Sequence, residues 1–104
     1  MRLRLSARVP SDLEEIADFI AADSPRHALR VLRLLRAKMK EIAKPPEIYR
    51  LRPELGPDAQ LAAVGNYVIL FRIRRNAVRI ERVVHGGREL LPLLSDNEHE
   101  SPSS

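Results

Sequence analysis

Apolar and polar residues change period along this chain, and the changes mark its elements. Arg2-Leu3-Arg4-Leu5 alternates strictly, as a short half-buried strand does. From Leu13 the apolar positions take a helical spacing, Leu13, Ile16, Ala17 and Ile20, behind Ser11-Asp12-Leu13-Glu14. That tetrad has the form of a capping box, in which the serine and glutamate side chains satisfy orphan amides reciprocally. It predicts a helix over residues 12–23. The other option is a start at Ser6, which puts Pro10 in the first turns, an awkward but tolerable place. Ser24-Pro25 then supplies an N-cap and a first-position proline for a second helix reaching Ala43. Ala28, Val31, Leu32, Leu35, Met39 and Ile42 form its apolar stripe, and Arg26, Arg30, Arg33, Arg36, Lys40 and Lys44 take the opposite face. Two helices joined by so short a link form an antiparallel hairpin. Lys44-Pro45-Pro46 ends the second one.

Residues 45–58 contain Pro45, Pro46, Pro53, Gly56 and Pro57, so this stretch is an irregular crossing. Strand-type residues then return in three runs, Gln60–Val64, Tyr67–Arg74 and Ala77–His85. Gly65-Asn66 and Arg75-Asn76 separate them as two-residue turns. The order β-α-α-β-β-β predicts a compact α+β domain: an N-terminal strand, an antiparallel two-helix hairpin, then a three-stranded antiparallel sheet. A chain of 104 residues supports one such core, placed here in residues 1–94. Residues 95–104 are polar, acidic and serine-rich, and are expected to be disordered.

Composition narrows the classes. There is no cysteine, which excludes a disulfide framework and a thiolate metal site and fits a reducing compartment. No apolar leader or membrane-length run is present, so a cytoplasmic protein with no membrane partner is expected. His27, His85 and His99 are scattered, so neither a metal cluster nor a cofactor is expected. The net charge of +4 is unevenly spread: residues 1–25 carry −2, residues 26–44 carry +6 and residues 72–88 carry +5. A basic body calls for an anionic partner. The basic stripe of the second helix reads as a solvated outer face, although its spacing also suits phosphates. Arg72, Arg74, Arg79, Arg82 and Arg88 punctuate the apolar strands close to His85-Gly86-Gly87, a surface suited to anions. The two glycines read as a sharp turn past the sheet edge, not as a phosphate cradle. Leu13, Phe19, Leu29 and Leu34 exceed what one face of the helical hairpin buries, and Leu90, Leu91, Leu93 and Leu94 extend beyond the sheet. Such a patch needs a partner to cover it, so the isolated chain is expected to be poorly soluble or self-associating.

Several strings carry a resemblance over about residues 3–94: Ser11-Asp12-Leu13-Glu14-Glu15-Ile16-Ala17-Asp18-Phe19-Ile20, Asp23-Ser24-Pro25, Arg52-Pro53-Glu54-Leu55, Gly65 to Arg72 (GNYVILFR), and Arg82-Val83-Val84-His85-Gly86-Gly87-Arg88-Glu89-Leu90. Their order and spacing resemble the ParE/RelE superfamily of bacterial type II toxins. The resemblance implies a toxin neutralised by a cognate antitoxin, with nucleic acid reached only through the antitoxin complex. One branch inhibits DNA gyrase; the other cleaves ribosome-bound mRNA. Metal-free RNA cleavage needs a base, an acid and cations for the developing charge. Val68 stands where the ribonuclease pattern places an arginine, and no tyrosine follows His85. Only His85 and Arg88 are left as a catalytic pair, with histidine suited by its near-neutral titration. The ParE-like branch is therefore favoured and no catalytic residue is assigned. The reading gives Arg72, Arg74, Arg82, His85 and Arg88 to the target, most plausibly gyrase, and Leu13, Phe19, Leu90, Leu91 and Leu93 to the antitoxin.

Overall fold

The computed structural model describes residues 1–90. Its elements run β1 (Arg2–Leu5), α1 (Arg8–Ala21), α2 (Pro25–Ile42), two 3₁₀ turns at Pro46–Ile48 and Pro53–Leu55, β2 (Gln60–Val64), β3 (Tyr67–Arg74) and β4 (Ala77–His85). Residues 86–90 continue as a helical turn, so Gly86 and Gly87 open a helix rather than a sharp turn. The acidic tail, Leu91, Leu93 and Leu94 lie outside the described residues.

The two helices pack on one face of the sheet, as the α+β reading requires. Leu13, Ile16, Val31, Leu35, Met39 and Ile42 from the hairpin meet Ala62, Ile69, Phe71, Val78, Ile80 and Val83 from the strands. A smaller cluster of Leu55, Ala59 and Leu70, with Leu61 and Leu90 against it, lies on the other face. Leu70 reaches that face because strand side chains alternate.

The sheet has four strands, not three, in the order β1-β4-β3-β2. β2–β3 and β3–β4 are antiparallel hairpins, whereas β1 adds to β4 in parallel, with Leu3 opposite Val78 and Leu5 opposite Ile80. The turn residues Arg75 (φ 52°) and Asn76 (φ 59°) are both left-handed, as the tight turn that matches strand twist requires. A register shift at Leu70/Phe71 leaves Glu81 as the extra residue of a bulge in β4.

The first helix corrects the expectation of a capping box. α1 begins at Arg8, and its N-cap position, Ala7, makes no side-chain capping bond. Pro10 falls in the first turn, where a missing N–H loses nothing because those amides have no intrahelical acceptor. Ser11 and Glu14 are therefore exposed helical residues. The second helix starts as read, with the Ser24 hydroxyl accepting from the His27 amide at 3.2 Å.

This early start has a reason in β4. β1 covers that strand only as far as Ile80, leaving its following edge with open backbone groups. Ser6 closes part of it: its amide donates to Ile80 O at 2.8 Å and its hydroxyl to Glu81 O at 2.7 Å. Asp12, one turn into α1, takes the Val83 amide at 2.9 Å. The chain leaving β1 thus seals the strand it has just stopped pairing with.

Candidate functional site

Asp12 also positions the first of the sequence-nominated arginines. Its carboxylate, 6% exposed, accepts from Arg82 Nε at 2.9 Å and from Nη2 at 3.0 Å. These bonds hold the Arg82 guanidinium above its ordinary pKa. Arg82 therefore clamps β4 to α1 and does not project toward a target. A bidentate charged pair of this kind fixes geometry as well as energy.

Past Arg82 the strand ends in the corner that the sequence singles out. His85 pairs with Tyr67 across β3–β4, with the rings edge to face at 5.5 Å. Its Nδ1 accepts from the Arg88 amide at 3.1 Å, so the side chain caps the helical turn that follows. The His85 amide donates to the Glu89 carboxylate at 3.4 Å. The Arg88 guanidinium lies 4.3 Å from the centre of the Phe19 ring, a cation–π contact at the surface. Phe19 is 60% exposed. A cleft of about 200 Å³ opens beside the pair, lined by Glu15, Ile16, Tyr67, Val83 and Glu89.

Arg72 and Arg74 stand elsewhere. Both reach Asp58, Arg72 Nη1 at 3.3 Å and Arg74 Nε at 2.7 Å. Hydrogen bonding from Arg74 holds the Asp58 carboxyl below its ordinary value. The residues nominated as one target surface therefore divide: His85 and Arg88 form a corner with Phe19, Arg82 is internal, and Arg72 and Arg74 belong to the far face of the sheet.

The nominated apolar residues divide too. Leu13 is a core residue, 8% exposed, and forms the floor of a groove of about 460 Å³ between β1, α1 and α2. Leu3, Leu5, Leu32 and Met39 line the groove, with Arg36, Lys40 and Glu14 at its rim. Leu90 packs against the cluster of Leu55, Ala59 and Leu70. Leu91 and Leu93 lie outside the described residues.

The family described as ParE toxin of type II toxin-antitoxin system, parDE, matches residues 3–90. The chain belongs to the ParE toxin family. Among solved structures it is similar to a chain of the chromosomal ParDE system from P. aeruginosa, with a TM-score of 0.71. That similarity covers 82% of this chain and 95% of the other at 19% identity, and shows a shared fold. No curated protein matched the sequence.

Leu3 and Leu5, which line the groove, were not singled out from the sequence. Alternation in Arg2-Leu3-Arg4-Leu5 marks them as inward-facing, and they do share a face with Val78 and Ile80. They are nevertheless 36% and 48% exposed, because the helices do not close over the sheet edge. Asp12 was also missed, since its partner lies 70 residues away. Among the described residues no cluster could hold a metal ion, and no helix is long and apolar enough to cross a membrane.

Proposed function

We propose that this ParE-family toxin arrests growth by binding an essential target, DNA gyrase, and that a cognate antitoxin neutralises it. The observation that carries the target reading is the exposed Phe19–Arg88 pair at the end of β4. Aromatic and arginine side chains beside a small cleft are the residue types that dominate binding energy at protein interfaces. His85 and Asp12 serve this corner as positioning residues, one capping the turn that carries Arg88 and the other anchoring the strand before it.

Neutralisation is assigned to the groove. Its apolar floor lies beside β1, a sheet-end strand whose outer edge has no partner among the described residues. An extended or helical antitoxin segment with apolar anchors and acidic flanks fits such a surface, through side-chain burial and contact with Arg36 and Lys40. The antitoxin contacts then centre on Leu3, Leu5, Leu13, Leu32 and Met39, with Phe19 left to the target.

Induction of the chain in bacteria without its antitoxin tests both halves. Arrest with filamentation, a DNA-damage response and intact mRNA is expected. Fragmented mRNA that a His85→Gln variant no longer produces would replace this reading with ribosome-dependent cleavage by His85 and Arg88. Growth without arrest would leave the chain a component of an antitoxin complex only.

A further inference from the structure

The far face of the sheet carries charge that neither the target corner nor the groove uses. Arg4 of β1 lies opposite Arg79 of β4, and Arg79 lies opposite Arg72 of β3. One row across three adjacent strands is therefore arginine throughout. In the next row Arg2 and Arg74 flank Ala77. Arg75 adds a sixth guanidinium at the tip of the β3–β4 turn. Arg4, Arg72, Arg74, Arg75 and Arg79 line a cleft of about 440 Å³ whose other lining residues are Ala77 and Glu81.

Folding alone does not favour this arrangement. Like charges directly opposite one another in a sheet are destabilising. Arg75 adopts φ 52°, a left-handed conformation that glycine or asparagine takes at less cost. Two carboxylates offset part of the charge: Asp58 binds Arg72 and Arg74, and Glu81 binds Arg79. Arg2, Arg4 and Arg75 form no ion pair among the described residues.

We infer that this face binds the phosphodiester backbone of a nucleic acid directly. Guanidinium forks match phosphate oxygens two at a time. Strands about 4.8 Å apart, with same-face residues about 6.7 Å apart along each, spread these forks over an area that spans several phosphates. The lining holds no aromatic residue and one small apolar one, so its arginines lack the apolar and aromatic surroundings that a protein interface packs around them. It equally lacks a platform for stacking bases, so binding is independent of sequence. This contact departs from the expectation that nucleic acid is reached only through the antitoxin, and it stands whether or not gyrase is the target.

The test is fluorescence anisotropy of the full-length chain with a short labelled oligonucleotide of mixed sequence, single-stranded in one arm and duplex in the other. Salt is stepped between about 50 and 200 mM. Binding should weaken steeply with salt. The double variant Arg4→Gln/Arg79→Gln should bind at least about tenfold more weakly at the lowest salt, and its log–log salt slope should flatten by about 1.8 for duplex or about 1.4 for single strand. The arm that binds more tightly identifies the form preferred. Arg30→Gln/Arg33→Gln, which removes equal charge from the exposed face of α2, should stay within about twofold of the parent. Arg75→Asn guards against a merely structural effect: it should melt higher than the parent yet bind more weakly. Unchanged binding in the Arg4/Arg79 variant would overturn the inference, as would equal loss in the α2 variant. Displacement of the oligonucleotide by poly-glutamate at matched charge would overturn it too, by assigning the face to carboxylates.

Discussion

Replacing Asp12 by alanine should unfold much of what this chain's stability rests on. The carboxylate is 6% exposed and accepts three hydrogen bonds, two from Arg82 and one from the Val83 amide. Removing it leaves a buried strand amide without an acceptor, which costs about 1–3 kcal/mol. It also strands a guanidinium whose side chain is only 19% exposed. Loss of one partner from a fully buried pair costs about 3–5 kcal/mol, but Arg82 can swing partly into water, which offsets some of that. A net loss of about 3 kcal/mol follows, or a fall in Tm of roughly 10–20 °C for a domain of this size. Urea unfolding followed by far-UV circular dichroism measures it, with Arg82→Ala and the double variant completing a cycle. Coupling of about 1.5–3 kcal/mol between the two sites is expected. A loss below about 1 kcal/mol, or simple additivity, would refute the idea that this pair holds α1 to β4.

Three further outcomes follow from other contacts. Gly56 sits at φ 145°, ψ 154°, and a Cβ there would come within 2.5 Å of Arg72 Nη2, so Gly56→Ala should cost about 2–3 kcal/mol in the same urea assay and release Arg72 from Asp58. Asp58 has a folded-state pKa lowered by Arg74, so its stabilising contribution is present above the unfolded value near about 3.9 and is lost as pH falls through the folded one. The pair is solvent-screened, so Asp58→Asn should shrink the acid loss of unfolding free energy by under about 1 kcal/mol, and less in high salt. Arg88→Ala removes a surface cation–π contact worth about 0.5–1 kcal/mol, so Tm should fall by only about 2–6 °C while growth arrest weakens sharply. Undiminished arrest would remove the Phe19–Arg88 corner from the target surface.

Most of the architecture is legible in the sequence because it is set locally. The bounds of β2, β3 and β4 are those read from the turns Gly65-Asn66 and Arg75-Asn76. The α2 stripe of Ala28, Val31, Leu35, Met39 and Ile42 is the buried set. What sequence could not give is decided by residues far apart along the chain. The parallel pairing of β1 joins positions 75 residues apart, and nothing in Arg2-Leu3-Arg4-Leu5 says which strand it meets. Ser11-Asp12-Leu13-Glu14 has the letters of a capping box, but tertiary demand on Asp12 draws the residue into the helix as an internal acceptor. The arginines were legible as charges set into apolar strands, while their division into an internal clamp, a corner and a far sheet face required the register of β4 and its bulge.

The central claim is that the chain poisons its target by binding. Purified gyrase, relaxed plasmid and ATP, titrated with the full-length chain, test it most directly. The account predicts loss of supercoiling or accumulation of cleaved plasmid, reversed by the antitoxin and weakened by Arg88→Ala. Unimpaired supercoiling at a large excess of folded chain would contradict it.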